Sequence, residues 1–119
     1  MNQSIVPKVM GPYSPCVIAG NLVFCSGQLG VTDMCDENIT KQTRTALMRV
    51  QQVLSTVGFS LENVVKVEVY LKNMDDFMTM NDVYASFFSG SVLPARVTVE
   101  VARLPKGALV EIACVAFKA

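Results

Sequence analysis

The 119-residue chain contains no histidine. That absence excludes Ser-His-Asp and Cys-His nucleophile systems, His-ligated zinc and imidazole acid–base catalysis. Excess charge of either sign is also missing, since ten basic residues balance ten acidic ones without a basic cluster. Nucleic-acid binding draws on a positive stripe that releases counterions from phosphates, and no such stripe is visible. The four cysteines, Cys16, Cys25, Cys35 and Cys114, are scattered and form no C-x-x-C pair. The N-terminal residues show neither an apolar signal-peptide core nor an arginine-rich amphipathic pattern, so a disulfide framework is not expected. No apolar run approaches membrane-spanning length. The expectation is a soluble, cytosolic protein that engages neither membrane nor nucleic acid.

What is present suits one globular domain covering residues 1–119. Hydrophobic residues make up 51% of the chain, enough for a core at this length. Cys16, Cys25 and Cys114 lie in apolar, strand-like runs and read as small buried hydrophobes. Cys35, between Met34 and Asp36, reads as exposed, with nothing nearby to lower its pKa.

Val17–Ala19 and Leu22–Cys25 flank Gly20-Asn21, a two-residue hairpin signal, and Ser26-Gly27-Gln28 then reads as a strand break. Ile39, Ala46, Leu47, Val50, Val53, Leu54 and Val57 recur at helical spacing, with Asp36 or Asn38 as start cap and Gly58 as stop. Residues 65–71 alternate with period two, the signature of a strand. After Asn73 a second helix is expected, with Phe77, Met80, Tyr84, Phe87 and Phe88 on one face and the methionines of 74–80 as core filler. Val97, Val99 and Val101 alternate with Arg96, Thr98 and Glu100, and a final strand from Ala108 to Phe117 is apolar on both faces except at Glu111.

This order predicts an α+β two-layer sandwich, a mixed β-sheet with two helices on one face. The strand–helix–strand unit from 64 to 101 is expected to pair in parallel. A simple hairpin of the last two strands about Pro105-Lys106 would set Glu100 opposite Glu111, and like charges directly opposite are destabilising. A strand apolar on both faces also belongs in a sheet centre. The final strand is therefore expected between earlier ones, with Leu104–Gly107 as the crossing loop. Lys66, Glu68, Tyr70, Arg96, Thr98 and Glu100 are assigned to the face without helices, which reads as a self-association surface with clefts between subunits.

The stretch Pro94 to Glu111 carries the most chemistry. A guanidinium at Arg96 matches a carboxylate with two parallel hydrogen bonds. Glu111, in an apolar strand, can hold water or move a proton. Bland readings stand beside these. Arg96 would equally serve as an ion-pair partner for Glu68 or Glu100, Glu111 as a satisfied interface carboxylate, and Tyr13 as a loop anchor.

Gly11-Pro12-Tyr13-Ser14, Cys25-Ser26-Gly27-Gln28, Asn81 to Phe88, Pro94-Ala95-Arg96 and Val101 to Ile112 together resemble the reactive-intermediate deaminase (Rid or YjgF-like) family, also called endoribonuclease L-PSP. The resemblance implies a chorismate-mutase-like fold and a homotrimer with sites in intersubunit clefts. Members carrying the arginine hydrolyse imines such as 2-iminobutyrate and 2-iminopropionate to 2-keto acids and ammonia. Those imines leak from pyridoxal-phosphate dehydratases, which implies a functional link to such enzymes. By this resemblance Arg96 would clamp the substrate carboxylate, Glu111 would position or activate water, and Tyr13 would line the cleft and assist the leaving nitrogen. Ser26, Gly27, Asn81 and Thr98 match other site-lining positions. Thr98 stands where many members carry cysteine, and the segment between Val31 and the first helix is shorter than usual. No metal or cofactor is implied. A non-catalytic trimer that binds small carboxylates or client proteins is the alternative. Ribonuclease or translation-inhibitor activity is a third reading, which neutral charge and the missing histidine disfavour.

Overall fold

In the computed structural model, which describes residues 8–32 and 38–119, five strands form one sheet in the order β1-β2-β5-β3-β4. The strands are β1 (Cys16–Ala19), β2 (Leu22–Leu29), β3 (Val64–Leu71), β4 (Ala95–Glu100) and β5 (Val110–Phe117). Helix α1 (Ile39–Ser55) packs across β2 and β5, and α2 (Phe77–Phe87) packs against α1. Cys35 and the alternative cap Asp36 lie outside the described residues.

Gly20 takes φ +60°, and the β1–β2 hairpin pairs Ala19 with Leu22 across the expected turn. The β2 strand does not break at Ser26-Gly27-Gln28. It continues to Leu29, and the three residues are absorbed as a bulge in its pairing with β5 between Cys25 and Gln28. A bulge keeps the chain in the sheet while re-aiming its side chains, so turn-forming residues sit inside a strand.

Asn38 caps α1, its side chain accepting from the Lys41 N–H at 3.2 Å. Gly58 closes the helix end at φ +79°, a conformation that favours glycine, and the Phe59 N–H donates back to Leu54 O at 3.0 Å. Ala46, Leu47, Val50, Val53 and Leu54 form the buried stripe. They meet Val23, Val67, Val69, Leu71, Val110, Ile112 and Ala116 from the sheet. Truncating a fully buried Leu47 or Leu54 to alanine is a cavity-forming change of about 2–5 kcal/mol. In α2 the buried residues are Met80, Val83 and Tyr84, with Phe88 just beyond. Met80 is core, but Met78 is 69% exposed, so the methionine-rich segment fills the core at one position only.

The last strand lies where the charge argument placed it. β5 runs antiparallel between β2 and β3, while β3 and β4 pair in parallel. The crossing loop contains a short 3-10 turn, Pro105–Gly107, and the Leu109 N–H donates to Gln42 Oε1 at 2.8 Å, which fixes the entry to β5.

One face assignment is wrong. Arg96 and Thr98 register with the buried Val67 and Val69, so they point to the helix side. Glu100 registers with Leu71 on that side too. Val97 and Val99 pair with Glu68 and Tyr70 and take the open face. Alternation reveals two faces but not which is covered. On an edge strand beside a short helix, the covered face is the one with room for a guanidinium. The open face consequently carries exposed apolar side chains beside its polar ones: Phe24, Val97, Val99 and Phe117 are 45%, 42%, 38% and 44% exposed. No helix among the described residues is long and apolar enough to cross a membrane.

Candidate active site

The predicted site residues fall into two groups on opposite faces of the sheet. On the helix side, β4 delivers Arg96 to the aromatic face of α2. Its guanidinium carbon stands 4.7 Å from the Tyr84 ring centroid and 5.6 Å from that of Phe77. A guanidinium over aromatic rings keeps its in-plane N–H fork directed outward for a planar anion. Thr98 follows on the same face of β4, and Asn81 lies one helical turn before Tyr84. Asn81 Oδ1, Tyr84 OH and Thr98 Oγ1 are buried without a hydrogen-bond partner in the chain. Buried polar atoms normally find partners, so three orphans on the Arg96 side of the fold mark a place built for something polar. Burial pushes the Tyr84 phenol up, and Arg96 pulls against it.

The second group surrounds Glu111. β5 places it in register with Leu29 and Tyr70, on the open face. Its side chain lies over Gly27, where a Cβ would come within 2.8 Å of Glu111 Cδ and closer still to a carboxylate oxygen. Burial raises the Glu111 carboxyl above the usual 4.5. Burial, then the charges of Glu68 and Glu111, push the neighbouring Tyr70 phenol up. Ser26 anchors the loop before β1: its N–H donates to Pro15 O at 2.9 Å and its Oγ to Ser14 O at 2.6 Å. Tyr13 sits on that loop, 46% exposed, and its hydroxyl accepts from the Met10 N–H at 3.3 Å. A cleft of about 400 Å³ opens beside Tyr13 and Gly27, lined also by Gln28, Arg49 and Lys106.

Within one chain these groups do not meet. β3 separates β4 from β5, which puts the strands about 10 Å apart, and the two side chains leave opposite faces. Arg96 does not pair with Glu68, which faces the other way, and Glu100 is engaged by the Met74 N–H at 2.8 Å. Both ion-pair readings of Arg96 therefore lose their support. Among the described residues, no group of three or more Asp, Glu, Cys or His is placed to hold a metal ion.

The sequence profile of the endoribonuclease L-PSP family matches residues 3–118. The chain belongs to that family, the Rid/YjgF-like proteins. A RutC family protein of Pyrococcus horikoshii is 47% identical over 116 residues, covering 94% of this chain and 91% of its own. A protein of Dermatophagoides farinae named 2-iminobutanoate/2-iminopropanoate deaminase is 40% identical over 112 residues, covering 91% of this chain and 87% of its own. Among solved structures, E. coli TdcF with bound serine superposes with a TM-score of 0.91 at 32% identity, covering 99% of this chain and 97% of that one. The sheet order with β5 inserted is thus an L-PSP arrangement.

Two residues of this L-PSP chain were missed as site candidates, Tyr84 and Phe77. They read as core because they share a helical stripe with Met80. The available signal was position: Tyr84 stands one turn after Asn81, so a polar tip near the site was legible beside the apolar ring.

Proposed function

We propose that the chain hydrolyses reactive 2-imino acids, such as 2-iminobutyrate and 2-iminopropionate, to 2-keto acids and ammonia, in clefts between the subunits of a homotrimer. The observation that carries this reading is the placement of Arg96 and Glu111 on opposite faces of one sheet. One chain holds an anion-binding half and a water-positioning half pointing apart. Packing of copies through the open face and along the β4 edge would let Arg96 of one approach Glu111 of the next. The names of the L-PSP relatives support this reading: one is an imine deaminase, and one structure holds serine, a small molecule with a carboxylate.

In such a cleft the Arg96 fork holds the substrate carboxylate, with Thr98, Asn81 and Tyr84 supplying polar contacts around it. The adjacent C=N carbon is electrophilic, more so when protonated, so the reaction asks for orientation and a placed water. Glu111, raised by burial, accepts a proton from water as its oxygen adds to the imine carbon. The resulting carbinolamine gains a proton on nitrogen, with Tyr13 at the cleft edge assisting, and collapses to the keto acid as ammonia leaves. Water supplies the oxygen, and no electrons are exchanged. Substrates of this kind arise from pyridoxal-phosphate dehydratases, the partners this reading implies.

The test generates imine with a dehydratase in the presence of an imine trap and follows keto-acid release. Wild type is expected to outcompete the trap, and Arg96→Ala to lose at least about 100-fold in kcat/KM with unchanged sedimentation, as for a lost bidentate charge pair. Equal activity in the two proteins would overturn the reading. Saturable 2-ketobutyrate binding without turnover would instead support a carboxylate-binding trimer.

A further inference from the structure

Three cysteines far apart in sequence form a single row across three adjacent strands. Cys16 of β1 registers with Cys25 of β2, and Cys25 registers with Cys114 of β5. The row faces the helices: Cys25 and Cys114 are buried at 6% and 3% exposure, and Cys16 is half-buried on the edge strand. They do not converge as a three-ligand metal site. All three are free thiols.

Antiparallel partners have Cα atoms about 4.5 or 5.5 Å apart, and both spacings lie inside the disulfide range of about 4.4–6.8 Å. By this spacing either neighbouring pair lies within reach of a disulfide. Thiol–disulfide exchange also needs an attacking sulfur in line with the bond it breaks, and successive positions in one sheet row supply that line. We propose that this row is an oxidation site in which Cys16 meets the oxidant and the bond is passed inward, ending as a Cys25–Cys114 disulfide that staples β2 to β5.

The steps balance with a hydroperoxide as oxidant. The Cys16 thiolate takes one oxygen from hydrogen peroxide, giving sulfenic acid and hydroxide. Cys25 thiolate attacks Cys16 Sγ, forming the first disulfide and expelling hydroxide, which takes up the proton Cys25 gave up. Cys114 then attacks Cys25 Sγ, the Cys16–Cys25 bond breaks, and Cys16 leaves as the thiol with the Cys114 proton. The inner pair is poised for this. The two inner thiols interact side by side, which lowers Cys25 and, with burial, raises Cys114. Burial and the charge of Cys25 hold the Cys16 thiol up, against a hydrogen bond from Thr56, so the entry step is fastest in alkaline solution. The staple would sit beside the proposed site, with only Ser26 between Cys25 and Gly27.

The experiment uses the assembled protein with Cys35→Ser, which removes the fourth thiol. It is exposed to hydrogen peroxide at about pH 8.5, the ordinary thiol range. At intervals it is denatured, alkylated and analysed by intact mass and peptide mapping. Two thiols should disappear with loss of two hydrogens. Cys16–Cys25 should rise first and decline as Cys25–Cys114 accumulates. Cys16→Ser should slow formation of the inner bond by at least about ten-fold, since reaction follows thiol access. Three alkylatable thiols throughout, or Cys16 carried to sulfinic acid without any disulfide, would overturn the proposal. So would an inner bond that forms as fast in Cys16→Ser as in its parent. The wild-type time course decides the order of bonds even if the Cys16→Ser protein fails to fold.

Discussion

The Glu111 side chain lies across Gly27 of the neighbouring strand, in space that any other residue at position 27 would fill. The glycine belongs to the β2 bulge, so a local irregularity in pairing and a half-buried carboxylate are one feature. Its backbone is not in the left-handed region, and alanine there brings no φ strain. What alanine brings is a Cβ within 3.0 Å of Glu111 Cγ, so the whole side chain must turn and not only its tip.

Gly27→Ala is therefore expected to move the carboxylate with the fold retained. A displacement near 1 Å at a catalytic group costs about 100-fold. Keto-acid release should fall by about that factor, and overpacking should lower stability by about 1–3 kcal/mol in a denaturant titration. Full activity in a folded Gly27→Ala protein would mean that Glu111 has no part in turnover.

The pH response of Glu111 gives a second test. Its folded-state carboxyl is raised by burial, so the folded chain holds that proton more tightly than the unfolded chain. The favourable contribution is full below the unfolded value and is lost as pH rises through the raised folded value. Stability of Glu111→Gln relative to wild type should thus improve on going from acid to neutral pH, in denaturant melts at both. Activity runs the other way, because a water-activating carboxylate must be ionised: wild-type kcat/KM should fall as pH drops through the raised value. Parallel stability profiles for the two proteins would exclude burial as the cause.

Tyr84 separates the two roles of an aromatic hydroxyl. Tyr84→Phe keeps the ring beneath Arg96 and removes an oxygen that has no partner in the chain. Stability should hold or rise, since an unsatisfied buried polar atom costs about 1–3 kcal/mol. If the hydroxyl meets substrate, KM should rise about 2- to 10-fold, the worth of one hydrogen bond. Tyr84→Leu removes the ring, and the cation–π contact alone is worth about 1–2 kcal/mol when desolvated. It should lower both stability and kcat/KM. Identical kinetics for wild type and Tyr84→Phe would place the hydroxyl outside the site.

Much of the fold was legible because charge and pattern act over short range. The clash of Glu100 with Glu111 in a hairpin, and a last strand from Ala108 to Phe117 that is apolar on both faces except at Glu111, point to β5 inside the sheet, where it lies. The helix limits were bracketed by Asp36 or Asn38 at the start and Gly58 at the stop, and Asn38 is the residue that caps. The facing of Arg96 was not legible, because alternation at Arg96, Thr98 and Glu100 is identical for either phase of an edge strand. The bulge at Ser26-Gly27-Gln28 was read as an end for the same reason, since turn residues mark both ends and bulges. Arg96 and Glu111 stood out by their own chemistry, while their particular roles and the positions Tyr13, Ser26, Gly27, Asn81 and Thr98 came from resemblance. What folding adds is that Arg96 and Glu111 leave opposite faces, and that Tyr84 stands under the arginine.

Under the proposed function, that division makes assembly the condition for activity. Val97 stands in the open-face row with Glu68 and Ala113, and Val99 in the row with Tyr70 and Glu111. If copies associate through this surface, an aspartate at position 99 is buried beside carboxylates without a cation from its own row, and breaking such an interface with an unpaired charge costs about 3–5 kcal/mol. Val99→Asp, or the pair Val97→Asp and Val99→Asp, should sediment as single chains with a native far-ultraviolet spectrum. Such chains should release no keto acid above background, because each then carries an arginine and a glutamate that cannot reach one substrate. An active monomer would show that one chain suffices, and the intersubunit site would have to be abandoned.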